Sequence, residues 1–202
     1  MYYALAVIRA FALVLVLAGT AEADRPSDFV DVAKLVPDAV LDLRYATEHN
    51  FTGKQLYPVA HCKLRRAVAD KLVAAAKALR AQDRRLLIWD CYRPTSIQKA
   101  LWKLVPDERY VANPAKGSNH GRGAAIDVGL VDKDGHAVVL PTELDDFTAA
   151  AHRDHALVGE RGAEARRLAK AMEDAGFVGM PTEWWHYDAP KASTYPLADD
   201  PL

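Results

Sequence analysis

The stretch Ser118–Leu140, SNHGRGAAIDVGLVDKDGHAVVL, decides how this chain is read. Its middle, Ala124–Leu130, is apolar except for one aspartate, and it spaces its residues as a strand does. A strand sends alternate side chains to opposite faces. Ala125, Asp127 and Gly129 then share one face, while Ala124, Ile126, Val128 and Leu130 point into a core. Lys133-Asp134-Gly135 follows as a turn, because an Asp-Gly pair tolerates the positive φ of a tight hairpin. The stretch is therefore expected to be a β-hairpin with a carboxylate carried into it. An ionised carboxylate in such a place needs a cation, several donors or a metal. His120 stands seven residues before Asp127. Gly121 and Gly123 between them are expected to bend the chain so that the imidazole reaches the same point.

Outward from this hairpin, helices and strands are mixed without strand–helix–strand alternation. Lys63–Gln82 places Leu64, Ala67, Val68, Leu72, Ala75 and Leu79 at helical spacing. Arg85–Tyr92, RLLIWDCY, reads as a buried strand, and Pro94 opens a turn or a further helix reaching Val105. Gly162–Phe177 reads as a second amphipathic helix ended by Gly176, and Pro181–Asp188 as a last strand. Asp24–Pro58 is irregular, with room for one strand and a long loop. The fold class is α+β, a central antiparallel sheet with helices packed on it. The length, 202 residues, suits a single domain, and 50% apolar with 26% charged residues is a globular balance. A formal charge of −1 without a basic block gives no reason to expect nucleic acid as a partner.

The first residues differ from the rest. Arg9 precedes an apolar run, Ala10–Ala18, and Ala21-Glu22-Ala23 supplies small residues at the two positions a signal peptidase reads. Residues 1–23 are expected to be a secretory signal and 24–202 the mature domain, periplasmic or secreted. The uninterrupted run is too short for the ~20 residues a membrane span needs, so no stable membrane insertion is expected after cleavage. Export bears on Cys62 and Cys91, the two cysteines. An oxidising compartment allows a disulfide between them; two buried thiols behaving as small apolar residues are the other reading.

A second chemical cluster lies at Glu183–His186, EWWH. On a regular strand Glu183 and His186 face opposite ways. A strand end or bulge brings both around one centre. Two histidines and a carboxylate are a usual catalytic zinc set with a fourth position free for water. His120, Asp127 and His186 fit that set, and Glu183 fits the general base for the water. The plainer alternative makes the histidines ordinary polar residues and pairs Asp127 with an arginine. Arg93 follows the buried strand and precedes Pro94, so its backbone is held extended. It either stabilises an oxyanion or bridges Asp90 structurally. His49, His61, His136, His152 and His155 lack such framing and are expected to face water or serve no metal. Ser118 has no nucleophile-elbow pattern around it.

Four segments in order, Arg44–Tyr57 (RYATEHNFTGKQLY), Trp89–Pro94 (WDCYRP), Ser118–Val128 (SNHGRGAAIDV) and Glu183–Tyr187 (EWWHY), resemble the zinc D,D-peptidases. These share a fold with the Hedgehog amino-terminal domain. The similarity is closer still to the VanX-type D-alanyl-D-alanine dipeptidases, and it covers nearly all of residues 24–202. The resemblance implies one zinc ion held by His120, Asp127 and His186, with Glu183 as base and Arg93 stabilising the tetrahedral intermediate. It implies that Ser118 contacts a small dipeptide substrate and that Tyr45 and Asp145 receive its free amino group; a one-residue slip would put Asp146 there instead. The implied reaction is hydrolysis of D-alanyl-D-alanine to two D-alanines. The export signal sets this chain apart from the cytoplasmic resistance dipeptidases and points to wall turnover or nutrient use. A D,D-carboxypeptidase or endopeptidase on peptidoglycan peptides, and a non-catalytic zinc-containing binding module, are the competing readings. The oligomeric state has no signature in the sequence.

Overall fold

The computed structural model describes residues 28–202. The expected signal, residues 1–23, lies outside the described residues. Among those described, no helix is long and apolar enough to cross a membrane.

The frame is a five-stranded sheet. Its strands are β2 (Val40–Leu41), β4 (Arg84–Asp90), β5 (Ala125–Asp132), β6 (Val178–Met180) and β7 (Glu183–Asp188), in the order β2-β4-β5-β7-β6. β4, β5, β7 and β6 pair antiparallel, as expected, while the two-residue β2 pairs parallel with β4 and makes the sheet mixed at one edge. A small second sheet joins β1 (Phe29–Asp31) to β3 (Lys63–Arg65). The expected hairpin after β5 is reduced on its return side to one bridge, Val131 to Ala137.

The helix expected from Lys63 begins at Arg66: α2 spans Arg66–Arg80, and the three residues before it are taken by β3. Those residues extend because they have a pairing partner in β1, and tertiary pairing overrides helical spacing. The short α1 (Val32–Leu35) lies between β1 and β2. α2 buries Val68, Ala69, Leu72, Ala75, Ala76 and Leu79. After the four-residue α4 (Arg153–Ala156), α5 (Ala163–Asp174) buries Leu168 and Met172 in the same core, joined by the inward residues of β4 and β5, Leu86, Ile88, Ile126, Val128 and Leu130. It stops where expected. Gly176 takes φ +91°, and the Phe177 N–H reaches back to the Met172 carbonyl at 3.0 Å, the bond that closes a left-handed helix end.

A second apolar cluster, Tyr45, Tyr57, Leu101 and Val111, forms beside α3 (Thr95–Leu104). It backs the site described below. The disulfide expectation is met: Cys62 and Cys91 are bonded, with Cα atoms 5.3 Å apart, and join the start of β3 to the end of β4.

Candidate active site

Three neighbouring strands put one residue each into a single row. Asp90 on β4 stands opposite Asp127 on β5, and Asp127 stands opposite His186 on β7. Residues in register across adjacent strands project on the same face. The row therefore lifts two carboxylates and an imidazole out of one side of the sheet, opposite to the helix-packed core. β7 is irregular against β6: Gly179 pairs with Tyr187, yet Met180 pairs with Glu183. The extra residues form a bulge, which re-aims side chains. It brings Glu183 Oε2 to 3.9 Å from His186 Nδ1, the arrangement the sequence required.

His120 enters from a 3-10 turn, His120–Arg122. Gly123 ends that turn at φ +65°, and a Cβ there would lie 2.3 Å from the Phe29 ring. The expected bend is therefore made at Gly123. Gly121 has no such backbone angle. His120 Nε2 then lies 3.4 Å from Asp127 Oδ2 and 3.2 Å from His186 Nδ1. His186 Nδ1 is 3.0 Å from Asp127 Oδ1. All three side chains are buried, and their ligand atoms lie within 4.8 Å of one another, close enough for one metal ion.

The outward nitrogens show what the inward ones need. His120 Nδ1 donates to the Cys91 carbonyl at 2.7 Å, since a carbonyl can only accept. His186 Nε2 donates to Asp188 Oδ1 at 3.1 Å. With those protons placed outward, the two inward nitrogens are both acceptors and face each other. Such a pair needs a cation between them, a proton or a metal. Burial opposes charge on His186, but the Asp127 and Asp188 carboxylates outweigh it and favour the cationic form. Asp127, despite burial, is held far below the usual carboxylate range by His120 and His186. Histidine ligands oriented by a carbonyl and a carboxylate are the usual support of a metal site. The donor set fits a tetrahedral metal such as zinc.

Arg93 makes the structural bridge to Asp90 and also lines the cavity. Its Nε and Nη2 donate to Asp90 Oδ2 at 2.9 and 2.6 Å, and Nη1 donates to Gln98 Oε1 at 2.8 Å. The same guanidinium faces Asp127 at 4.0 Å and sits over the Tyr45 ring. Asp90, fully buried, also accepts from the Tyr57 hydroxyl at 2.6 Å and from the Cys91 N–H. A buried ion pair so fully hydrogen-bonded fixes the guanidinium with little freedom left.

Arg93, His120, Asp127, Glu183 and His186 border a cavity of about 190 Å³, also lined by Ser118, Tyr45, Asp145, Phe51, Tyr110 and Phe147. That is below the ~300–1,000 Å³ of sites for drug-sized ligands. Ser118 is buried, and its Oγ accepts from the His120 N–H at 3.2 Å. Asp145 accepts from the Tyr45 hydroxyl at 3.0 Å. It sits at φ +59°, a left-handed conformation that an aspartate tolerates. Asp146 is turned elsewhere, its Oδ1 accepting from the Thr148 N–H, so of the two neighbouring aspartates it is Asp145 that lines the cavity. Burial, then the charge of Asp127, raises the Asp145 carboxyl to about 7, against the opposing pull of Arg93 and Tyr45. Burial likewise raises Glu183 to about 8. Carboxylates this perturbed at one cavity are a mark of a functional site.

Of the residues sequence reasoning passed over, Asp188 carried a signal, standing two positions after His186 on the same strand face. Gln98 and the aromatic wall had none. The other histidines stay out of the cavity. His152 is the exception to their expected exposure, being half-buried with Nε2 enclosed and without a partner. Asp132, Asp134 and His136 form another close group, but Asp132 Oδ1 already accepts the turn's Asp134 and His136 N–H groups.

The chain is similar to proteins of known name. It is 37% identical over 175 residues to the D-alanyl-D-alanine dipeptidase of Escherichia coli strain K12, covering 86% of this chain and 91% of that one. It is 34% identical to the enzyme of the same name from Enterococcus faecalis, over 76% of this chain and 89% of that one. The relative of that name from Streptomyces coelicolor is 32% identical, over 83% and 96%. The profile of a peptidase family described as D-ala-D-ala dipeptidase matches residues 25–201. With a buried metal-capable trio, a perturbed glutamate and a fixed guanidinium around one small cavity, this metallopeptidase chain belongs to the D-ala-D-ala dipeptidase family.

Proposed function

We propose that the protein hydrolyses D-alanyl-D-alanine to two D-alanines with one zinc ion, outside the cytoplasm. The observation that carries the substrate reading is the placement of Asp145 and Tyr45. They put a carboxylate into the same small cavity as the metal-capable trio. A carboxylate there suits a free ammonium group and rejects a substrate extended on its amino side.

His120, Asp127 and His186 would hold the zinc, which when bound would supply a Lewis acid and lower the pKa of a water. Glu183 takes the proton from the attacking water and passes it to the leaving amine nitrogen. Its carboxylate form, disfavoured by burial in the metal-free chain, is favoured beside a dication. Arg93, pinned by Asp90 and Gln98, donates to the oxygen that gains negative charge. Ser118 contacts the dipeptide, and Asp145 with Tyr45 holds its ammonium. Extracytoplasmic action is supported by the signal-like segment Met1–Ala23 and by the Cys62–Cys91 bond, which an oxidising compartment preserves. Wall turnover or nutrient use suits such a site of action.

The test is a comparison of D-alanyl-D-alanine, its N-acetyl form and a wall pentapeptide ending in D-alanyl-D-alanine. Acetylation removes the ammonium and leaves Asp145 unmatched, a cost of ~2–5 kcal/mol at a desolvated site. At ~1.4 kcal/mol per tenfold, kcat/KM falls roughly 30-fold to several thousand-fold. Equal or faster cleavage of the acetylated compound would make the protein a carboxypeptidase. Zinc binding with no turnover of any of the three would make it a binding module.

A further inference from the structure

The segment Tyr195–Asp200 crosses the outside of the site and touches two pieces of its machinery at once. On one side it holds the His120 turn. The methyl groups of Leu197 fill the space above Gly117 and Gly121: a Cβ built at Gly117 would lie 2.8 Å from Leu197 Cδ1, and one at Gly121 3.3 Å from Cδ2. The Ala198 N–H donates to the Gly121 carbonyl at 2.9 Å, and Arg122 Nη1 donates to the Tyr195 carbonyl at 2.7 Å. On the other side it holds the segment that carries Arg93. The Thr95 hydroxyl donates to the Ala198 carbonyl at 2.8 Å. The Ser96 N–H donates to Asp199 Oδ1 at 2.8 Å, and the Tyr92 hydroxyl donates to the Asp200 carbonyl at 3.1 Å.

Ala198 thus bonds both pieces through one residue, its N–H to the turn and its carbonyl to Thr95. Gly117 and Gly121 flank Ser118 and His120, so what sits on these glycines bears on both. Neither piece has a long regular element of its own there. His120 lies in a three-residue 3-10 turn, and Arg93 lies between the end of β4 and the start of α3. The two pieces also meet directly, the Arg93 N–H donating to the His120 carbonyl at 3.2 Å and His120 Nδ1 to the Cys91 carbonyl at 2.7 Å, and Tyr195–Asp200 braces both sides of that contact.

We infer that Tyr195–Asp200 is a positioning strap, with Leu197 as its wedge, that braces His120 and Ser118 against the segment carrying Arg93. Leu197 is 41% exposed and outside the main core, so replacing it changes the strap without emptying the interior. The metal part of the inference rests on the zinc reading; the backbone part does not.

The test uses the full chain with Leu197→Ala, Leu197→Met as the conservative rescue, and Leu79→Val as a core control at the far end of α2 from β3. Hydrogen exchange over residues 117–123 is read in the metal-free protein, zinc Kd by competition with a chromogenic chelator, and Tm by calorimetry. Leu197→Ala is expected to speed exchange over 117–123 and to weaken zinc about tenfold, the low end for loss of support around a ligand. Leu197→Met is expected to restore both, and Leu79→Val to lower Tm at least as far while changing neither. Unchanged exchange in Leu197→Ala overturns the strap. So does faster exchange with wild-type zinc affinity, or the same pair of changes in Leu79→Val. A wild-type protein that binds no zinc refutes the functional reading instead, and the exchange comparison alone then decides the strap.

Discussion

Replacing Asp145 by asparagine is expected to stabilise the metal-free protein while harming its reaction. The Asp145 carboxyl is raised to about 7 by burial and by the charge of Asp127. In the unfolded chain it returns to ~3.9. The native state therefore binds the extra proton between those values. A carboxyl with a raised native pKa lowers stability as pH rises through that window, and the loss levels off above the native pKa. A difference of roughly 3 units corresponds to at most ~4 kcal/mol, at ~1.36 kcal/mol per unit. Relaxation and water entry at the cavity reduce this to an expected gain on the order of 1–3 kcal/mol for Asp145→Asn at pH 8. The φ of +59° is kept without added cost, because asparagine accepts that conformation as aspartate does. Urea denaturation of chelator-treated wild type and Asp145→Asn, from pH 4 to pH 8, measures the difference directly. The variant's advantage is expected to grow from pH 4 to about 7 and then hold constant. The reasoning is refuted if the variant is less stable at pH 8, or if its advantage is the same at every pH. In the same variant kcat/KM for the free dipeptide falls, since the ammonium loses its counter-charge.

Glu183→Ala is expected to keep its zinc and lose ~10²–10⁴-fold in kcat; metal analysis checks this, and loss of zinc together with activity would make Glu183 a ligand or a structural residue. Asp188→Ala, by freeing His186 Nε2, is expected to weaken zinc by ~10–100-fold, read by chelator competition; wild-type affinity would remove Asp188 from the support of the site. Reducing the Cys62–Cys91 bond, which closes a loop with a sequence separation of 29, is expected to cost ~3–4 kcal/mol of stability on the chain-entropy account, measured by urea denaturation with and without a dithiol.

By itself the sequence determined the local pieces: α2 and α5 from their apolar spacing, the Gly176 stop, β5 with its odd aspartate, and the four motifs that carry the resemblance. These are legible because each is a periodicity or a spacing along the chain. It also identified His120, Asp127, Glu183 and His186 as one chemical set, while leaving open whether Glu183 and His186 could face the same way. Only the tertiary structure decided that, through the β7 bulge, because a mismatch between two strands cannot be read from one of them. The same holds for the start of α2, taken over by β3 once β1 pairs with it. Arg93 was undecided between a structural bridge and a site group; with Asp90 and Asp127 opposite each other in register, one guanidinium does both. Gly121 was read as a bend, yet it has no left-handed backbone angle, and a Cβ there would press on Leu197, far along the chain. What the sequence could not carry was contact between distant segments, for contact depends on where two backbones come to rest against one another.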